Sequence, residues 1–516
     1  MSNLNALGSQ FVAQLSALRS SVRAQNERQA HVEKVHVVGA GGTLSAVYEQ
    51  LRNAAEYTEE HLLVQRAVRR FYRRLFLARN VSQIETSGEE LVVELTLAGY
   101  LKNDTVTVET AKQISQLAQQ YYAAHGALSG QGTTIELWTI NVLAVEVEML
   151  INDHGQQAVL IQLAHGHFAQ ALAHTSGAGE RQPDFEVALF AAIHRALLHS
   201  DAATIRTMLL KRYGITTAGD LDLYRSTNEK IDELLGSEAV ENLYRIVNRQ
   251  GAPFRILWRM VQDQPEVAEL LQSREKFLRA YESQITHEYD QIHRRINAGI
   301  IKSVIFLIIT KFLVGIAIEV PYDYAVHGSI VWLPLIINLF FPPVYMLLLR
   351  ATLIIPGDAN TTAMVELIDR FLYGEEAVAV ATRRKRTFGA AYNAIYALFF
   401  LLVFCGVAWF LVGLGFSIVH LLIFFVFLSA ASFLGFRLSG MIRELEVVDS
   451  HQGGVTVVRD FLYMPFVVVG RWISEKYSKM NVVATFLDMV IELPLKTVLR
   501  LVRQWSAFIS SKKDEL

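Results

Sequence analysis

A lysine in the middle of an apolar run is the residue least in keeping with its neighbours in this chain. Lys311 sits close to halfway along the run 300–320. An ionisable group at that depth of a bilayer costs roughly 3 kcal/mol on insertion scales and marks a functional site by default. Asn338 lies in the next apolar run, 330–349. Counting about 1.5 Å per residue from opposite ends puts it at a similar depth. A cation and an amide that meet across a bundle can line an ion or substrate path, or clamp two helices at about 0.6 kcal/mol per contact. Pro334, Pro342 and Pro343 predict an irregular second run, and carbonyls freed by proline need another partner or water.

A second group is basic. Arg66, Arg69, Arg70, Arg73 and Arg74 recur at three- and four-residue spacing among Val68, Phe71, Tyr72, Leu75 and Phe76. That spacing gathers the guanidinium groups on one helix face. Such a stripe serves either as an ordinary solvated face or as a contact for anionic headgroups, an acidic partner or nucleic acid.

Other motifs carry less chemistry. Val37-Val38-Gly39-Ala40-Gly41-Gly42-Thr43 resembles a dinucleotide turn, but Leu44 stands where a third glycine is needed and no following strand ends in an acid. A hinge between two helices accounts for it. His165, His167, His174, His194 and His199 lack the spacing and companion ligands of a zinc site, and are read as scattered surface histidines with no metal. No paired carboxylates, nucleophile with its base, or cofactor motif stands out. The expectation is therefore no catalytic residue, no cofactor and no enzyme. Lys513-Asp514-Glu515-Leu516 spells a lumenal retention address, which a cytoplasmic tail could not use.

These residues have to be positioned by elements, and the elements follow from composition. Hydrophobic residues make up 52% of the 516 and charged residues only 19%, and the excess falls after Ile300. A hydrocarbon core of about 30 Å needs roughly 20 apolar residues in a helix. Four stretches qualify: 300–320, 330–349, 388–411 and 417–438. Arg294, Arg295 and Lys302 flank the first; Arg350, Arg383, Arg384, Lys385 and Arg386 lie between the second and third; Arg437 and Arg443 close the fourth. The loops 321–329 and 412–416 hold no Lys or Arg. Because such charges are retained on the cytoplasmic side, both termini are expected inside, in a multi-pass protein of the cell membrane. The first residues show no basic flank before an apolar core, so no cleaved signal is expected.

Beyond Arg443, the short apolar stretch 461–470 contains Pro465 and is bracketed by Arg459, Asp460 and Arg471, which suits a re-entrant or surface-lying segment. In 481–509, Asp488, Glu492, Lys496, Arg500 and Gln504 form one narrow polar stripe on an otherwise apolar helix. That pattern predicts an amphipathic helix in the interface, bent at Pro494.

Before the spans the periodicity is helical over 9–28, 45–78, 89–98, 110–125, 134–153, 184–199, 201–212, 227–248 and 266–297, with Asp184 and Asp201 as candidate N-caps. Strand-like alternation is confined to 35–38 and, less clearly, 91–97. The last helical run enters the first span with no Gly or Pro before Gly299, a path for mechanical coupling.

The expected architecture is all-α: a cytoplasmic helical domain at 1–298, a four-helix transmembrane bundle at 299–440 and a membrane-surface segment at 441–516. Three function classes fit. First is a non-enzymatic anchor or scaffold whose helices recruit a protein partner or form a homo-oligomer at membrane lipids, with no nucleic acid and no metal. Second is a channel or transporter using Lys311 and Asn338. Third is a membrane enzyme.

Overall fold

The computed structural model describes residues 4–29, 32–37, 49, 62–79, 81–128, 133–175, 184–217, 219–264, 266–353, 355–374, 390–448 and 454–480. Among them the chain is helical throughout, with one isolated antiparallel bridge, Lys34 to Thr107. The stretch 91–97 is helix, inside Ser87–Leu97. Contacts divide the molecule into two compact units: one of residues 3–248, 371–380 and 482–516, the other of 1–2, 249–370 and 381–481. The helices just before the first apolar run, from residue 249 onward, thus belong with the spans.

In the unit built on residues 3–248 the helices are α1 (Ala6–Gln29), α2 (Leu63–Ala78), α3 (Val81–Glu85), α4 (Ser87–Leu97), α5 (Val108–Leu128), α6 (Thr133–Ile151), α7 (Gly155–Thr175), α8 (Phe185–Leu197), α9 (Ala202–Arg212), α10 (Leu221–Gly236) and α11 (Glu238–Gln250). The apolar face of α2, with Val68, Phe71, Tyr72 and Phe76, is buried, which fixes the arginines between them on the opposite edge. Asp201 caps α9 by accepting the Thr204 amide at 2.8 Å. Asp184 precedes α8 in helical backbone and makes no side-chain cap. The run expected at 227–248 is two helices, because Ser237 turns extended between them. Helix α7 was not anticipated. Gly155 opens it and Gly166 interrupts its pattern, but the latter lets Leu7 of α1 approach so closely that a Cβ there would meet Leu7 Cδ2 at 2.8 Å.

The second unit begins with α12 (Ala252–Asp263), which starts with Pro253 in its first turn, and α13 (Val267–Leu270). Then α14 (Arg274–Val314), a π-helical turn (Gly315–Glu319) and α15 (Val320–His327) run on as one helix of 54 residues. At about 1.5 Å per residue it is roughly 80 Å long, far beyond a hydrocarbon core. The expected loop at 321–329 is therefore helix as far as His327, where Gly328 at φ 70° ends it. Pro321 is accommodated because it falls in the first turn after the π turn, where the Val320 amide reaches back to the Gly315 carbonyl.

Helices α16 (Trp332–Thr352), α17 (Asp358–Tyr373), α18 (Ala390–Gly413), α19 (Ile418–Arg443) and α20 (Gly454–Met480) follow. Pro342 and Pro343 lie inside α16 without ending it. Among the described residues four helices are long and apolar enough to cross a membrane: 274–327, α16, α18 from residue 391, and α19. Their outward faces carry large apolar side chains in water-accessible positions, among them Ile309, Phe312, Leu402 and Trp409. Exposed apolar surface on this scale is the mark of a helix meant for lipid. The segment 461–470 lies within α20, and it packs along α19 so tightly that a Cβ on Gly470 would sit 2.1 Å from the Ser429 carbonyl oxygen.

The other end of this unit is stitched by polar contacts. Asn360 donates to the Leu445 carbonyl and accepts the amides of Val447 and Val448. Arg350 donates to Asn297 at 2.6 Å and contacts His293 at 2.8 Å. The amphipathic stretch with Asp488, Glu492, Lys496 and Arg500, most of the glycine motif and the terminal Lys513–Leu516 lie outside the described residues.

Candidate functional site

Inside the apolar bundle one buried polar cluster joins three of the four candidate spans. Lys311 Nζ donates to Glu319 Oε1 at 2.9 Å, and each side chain is 1% exposed. The two residues are eight apart on one helix, a separation the ammonium stem bridges along the axis. The π turn at Gly315–Glu319 presents the carboxylate, and Gly315, lacking a side chain, leaves a Cβ-sized space 4.0 Å from Glu319 Oε2. From α16, Asn338 Nδ2 donates to the same Glu319 Oε1 at 3.0 Å and to the His420 carbonyl at 3.2 Å. The ring of Phe427 on α19 lies 4.7 Å from the ammonium, a favourable face for a desolvated cation.

The cluster continues one helical turn further. Asp323 Oδ2 accepts the Val331 amide at 3.0 Å. Its Oδ1 stands 3.4 Å from His420 Nε2, with both side chains fully buried. No hydrogen bond forms across that gap, and among the described residues neither atom has a hydrogen-bond partner, nor does Asn338 Oδ1. Ser417 caps α19, its hydroxyl oxygen taking the His420 amide at 3.4 Å and lying 2.9 Å from His420 Nδ1. A cluster of this kind inside hydrocarbon is expensive, since each unpaired ion costs several kcal/mol.

Lys311 and Asn338, at similar depth by sequence, come together through Glu319. Glu319, Asp323 and His420 were not singled out by sequence. The sequence signal is a pair of acids eight and twelve residues after Lys311: Glu319 falls in the last turn of the run 300–320, and Asp323 lies beyond its end.

The arginine stripe is placed differently from a free basic face. Arg70 Nη2 is 2.6 Å from Glu49 Oε2, which also accepts from Tyr100. Arg74 reaches both oxygens of Glu94 at 2.8 and 3.0 Å, and Arg69 pairs with Asp201 at 3.4 Å. Burial lowers the Arg69 guanidinium from its usual range while Asp201 opposes the shift. Arg66 is half-buried and Arg73 is exposed.

Two of the histidines expected at the surface are buried instead. His167 packs 4.0 Å from the Phe371 ring, and His194 lies 4.5 Å from Phe190. Burial lowers each to about 4, so both are neutral near pH 7. His165 faces Glu186 at 3.2 Å. Among the described residues no group of three or more His, Cys, Asp or Glu could hold a metal ion.

Neither a family model, a curated protein nor a solved structure matches the chain.

Proposed function

We propose that this is a membrane protein whose bundle carries ions or protons, or couples their passage to a solute, through the Lys311–Glu319–Asn338–Asp323–His420 cluster. The observation that supports it most is the convergence of two carboxylates, an ammonium, an amide and an imidazole from three apolar helices into one buried site. Ionisable groups in that setting line ion and proton paths. The π turn supports the same reading, because such turns recur at functional positions in helices. In the orientation expected from Lys and Arg, Lys311 lies near mid-depth and Asp323 towards the outer end.

Proteoliposomes of the full chain under an imposed pH gradient and membrane potential test it. Proton or monovalent cation flux above protein-free vesicles is expected, falling at least about tenfold in Glu319→Gln and Asp323→Asn. Flux equal to that of empty vesicles in the unaltered protein overturns the reading. Orientation has its own check in a Cys405→Ser background. A cysteine at Ser329 is expected to react with an impermeant thiol reagent in intact cells, and one at Ser506 is not.

A second reading is an anchor or scaffold, supported by the helical unit of residues 3–248 with its own core around Val68, Leu143, Ala192 and Leu209. On that reading the charge cluster is a clamp between spans. A defined partner or homo-oligomer retained through purification in mild detergent, together with absent flux, is its expected result.

A further inference from the structure

We infer that Asp323 and His420 hold one exchangeable proton between them, bound there because two carboxylates and a single ammonium share one buried site. The inference deepens the transport reading by naming the ion that this site binds.

Counting charge leads to it. Lys311 and Glu319 neutralise each other at 2.9 Å. Asp323, four residues beyond Glu319 on the same continuous helix, adds a second carboxylate in a fully buried position. With a neutral imidazole the cluster carries one net negative charge, and an unpaired charge at this depth costs several kcal/mol. One proton removes it. Whether that proton sits on the carboxyl or makes the ring an imidazolium, the cluster becomes neutral, so one proton serves the pair.

Geometry places the proton. Asp323 Oδ2 is already engaged by the Val331 amide, and His420 Nδ1 faces the Ser417 hydroxyl at 2.9 Å. That leaves Oδ1 and Nε2, two buried atoms without hydrogen-bond partners, facing each other at 3.4 Å. Among the described residues no lysine or arginine pairs with either group. From α15, Tyr322 has its ring 6.2 Å from the imidazole, and His327 lies beyond it at 6.4 Å from Tyr322. The α16 side offers Asn338 and the Val331 amide, and α19 offers Ser417. Lys311 is the one cation paired within the cluster among the described residues.

The test uses the full chain in nanodiscs of zwitterionic lipid, with infrared difference spectra recorded across a pH series and aspartate labelled with a heavy carbon isotope. The unaltered protein is expected to release one proton from a band that shifts on labelling or belongs to an imidazolium, and that Asp323→Asn abolishes. Absence of such a band in the unaltered protein overturns the inference without recourse to any variant. Glu319→Gln removes the excess negative charge, so the protonated band is expected to weaken under conditions where the unaltered protein shows it. Lys311→Met is expected to strengthen it, and the double variant to restore it. A band indifferent to all three changes contradicts the charge count. Flux and titration separate the two claims: a titrating pair without flux removes the transport reading and leaves the proton site, whereas flux with no titratable pair does the reverse.

Discussion

The two units of the molecule each bury ion pairs of similar length, yet in different company. In the helical unit, Arg70 meets Glu49 at 2.6 Å with 17% and 6% of the side chains exposed, and Tyr100 shares the carboxylate. In the bundle, Lys311 meets Glu319 at 2.9 Å with 1% of each exposed. Around the first pair, water and further polar groups keep the effective dielectric high. Around the second, Asn338 shares the carboxylate, but beyond the buried cluster lie only apolar side chains and, on the outer faces, surfaces shaped for lipid. Distance alone would rank the arginine pair stronger, but the energy at stake in breaking a pair grows with how little else can solvate the ion left behind.

The largest expected consequence is at Lys311. Lys311→Leu leaves Glu319 buried without its cation and is expected to lose about 3–5 kcal/mol of stability, measured by chemical unfolding in detergent. Lys311→Leu with Glu319→Leu removes both ions and is expected to recover most of that loss. Equal destabilisation by the single and double variants would show that the pair is not desolvated as described.

Next in size is an acid effect in the helical unit. His167 and His194 are held to about 4 by burial, below the ordinary 6.5 of an unfolded chain. Their folded forms refuse protons that the unfolded chain accepts. The stability they contribute is complete above about pH 6.5 and is lost as pH falls towards 4, on the order of 3 kcal/mol for each. His167→Gln is expected to flatten roughly half of that decline in a series of melting curves against pH, and an unchanged slope would contradict the burial. His154 works with the opposite sign. Burial pulls it down, but its hydrogen bond and charge interaction with Glu148 outweigh this and raise it, so its contribution is complete below 6.5 and fades as pH rises through the raised value.

The smallest effect belongs to the surface. Arg195 and Glu241 pair at 3.0 Å with 45% and 38% of their side chains exposed. Arg195→Ala is expected to cost less than about 1 kcal/mol, and less still in high salt. A loss matching that of Lys311→Leu would erase the contrast between the two environments.

Sequence made the spans legible because hydrocarbon thickness imposes a length that water-soluble helices do not share. It also marked Lys311 and Asn338, since a polar side chain in an apolar run stands out by type alone. What stayed hidden depended on continuity. Pro321, Asp323 and Gly328 read as a loop, yet the π turn at Gly315–Glu319 absorbs the proline and carries the helix on, bringing Glu319 and Asp323 onto the site. His420 lay within an anticipated span, but its partner did not. In the helical unit, α7 was masked by glycines and polar residues whose burial depends on the packing of α1, and the arginine stripe showed its face but not the acids from distant positions that meet it.

The energetics of the charge cluster depend on the bundle being surrounded by lipid, and the chain carries its own reporter. Cys405 is the single cysteine, and it is exposed on α18. A nitroxide attached there, in the full chain reconstituted into bilayers, is predicted to collide often with dissolved oxygen and rarely with a water-soluble relaxation agent. Ready collision with the water-soluble agent, and no preference for oxygen, would contradict the account.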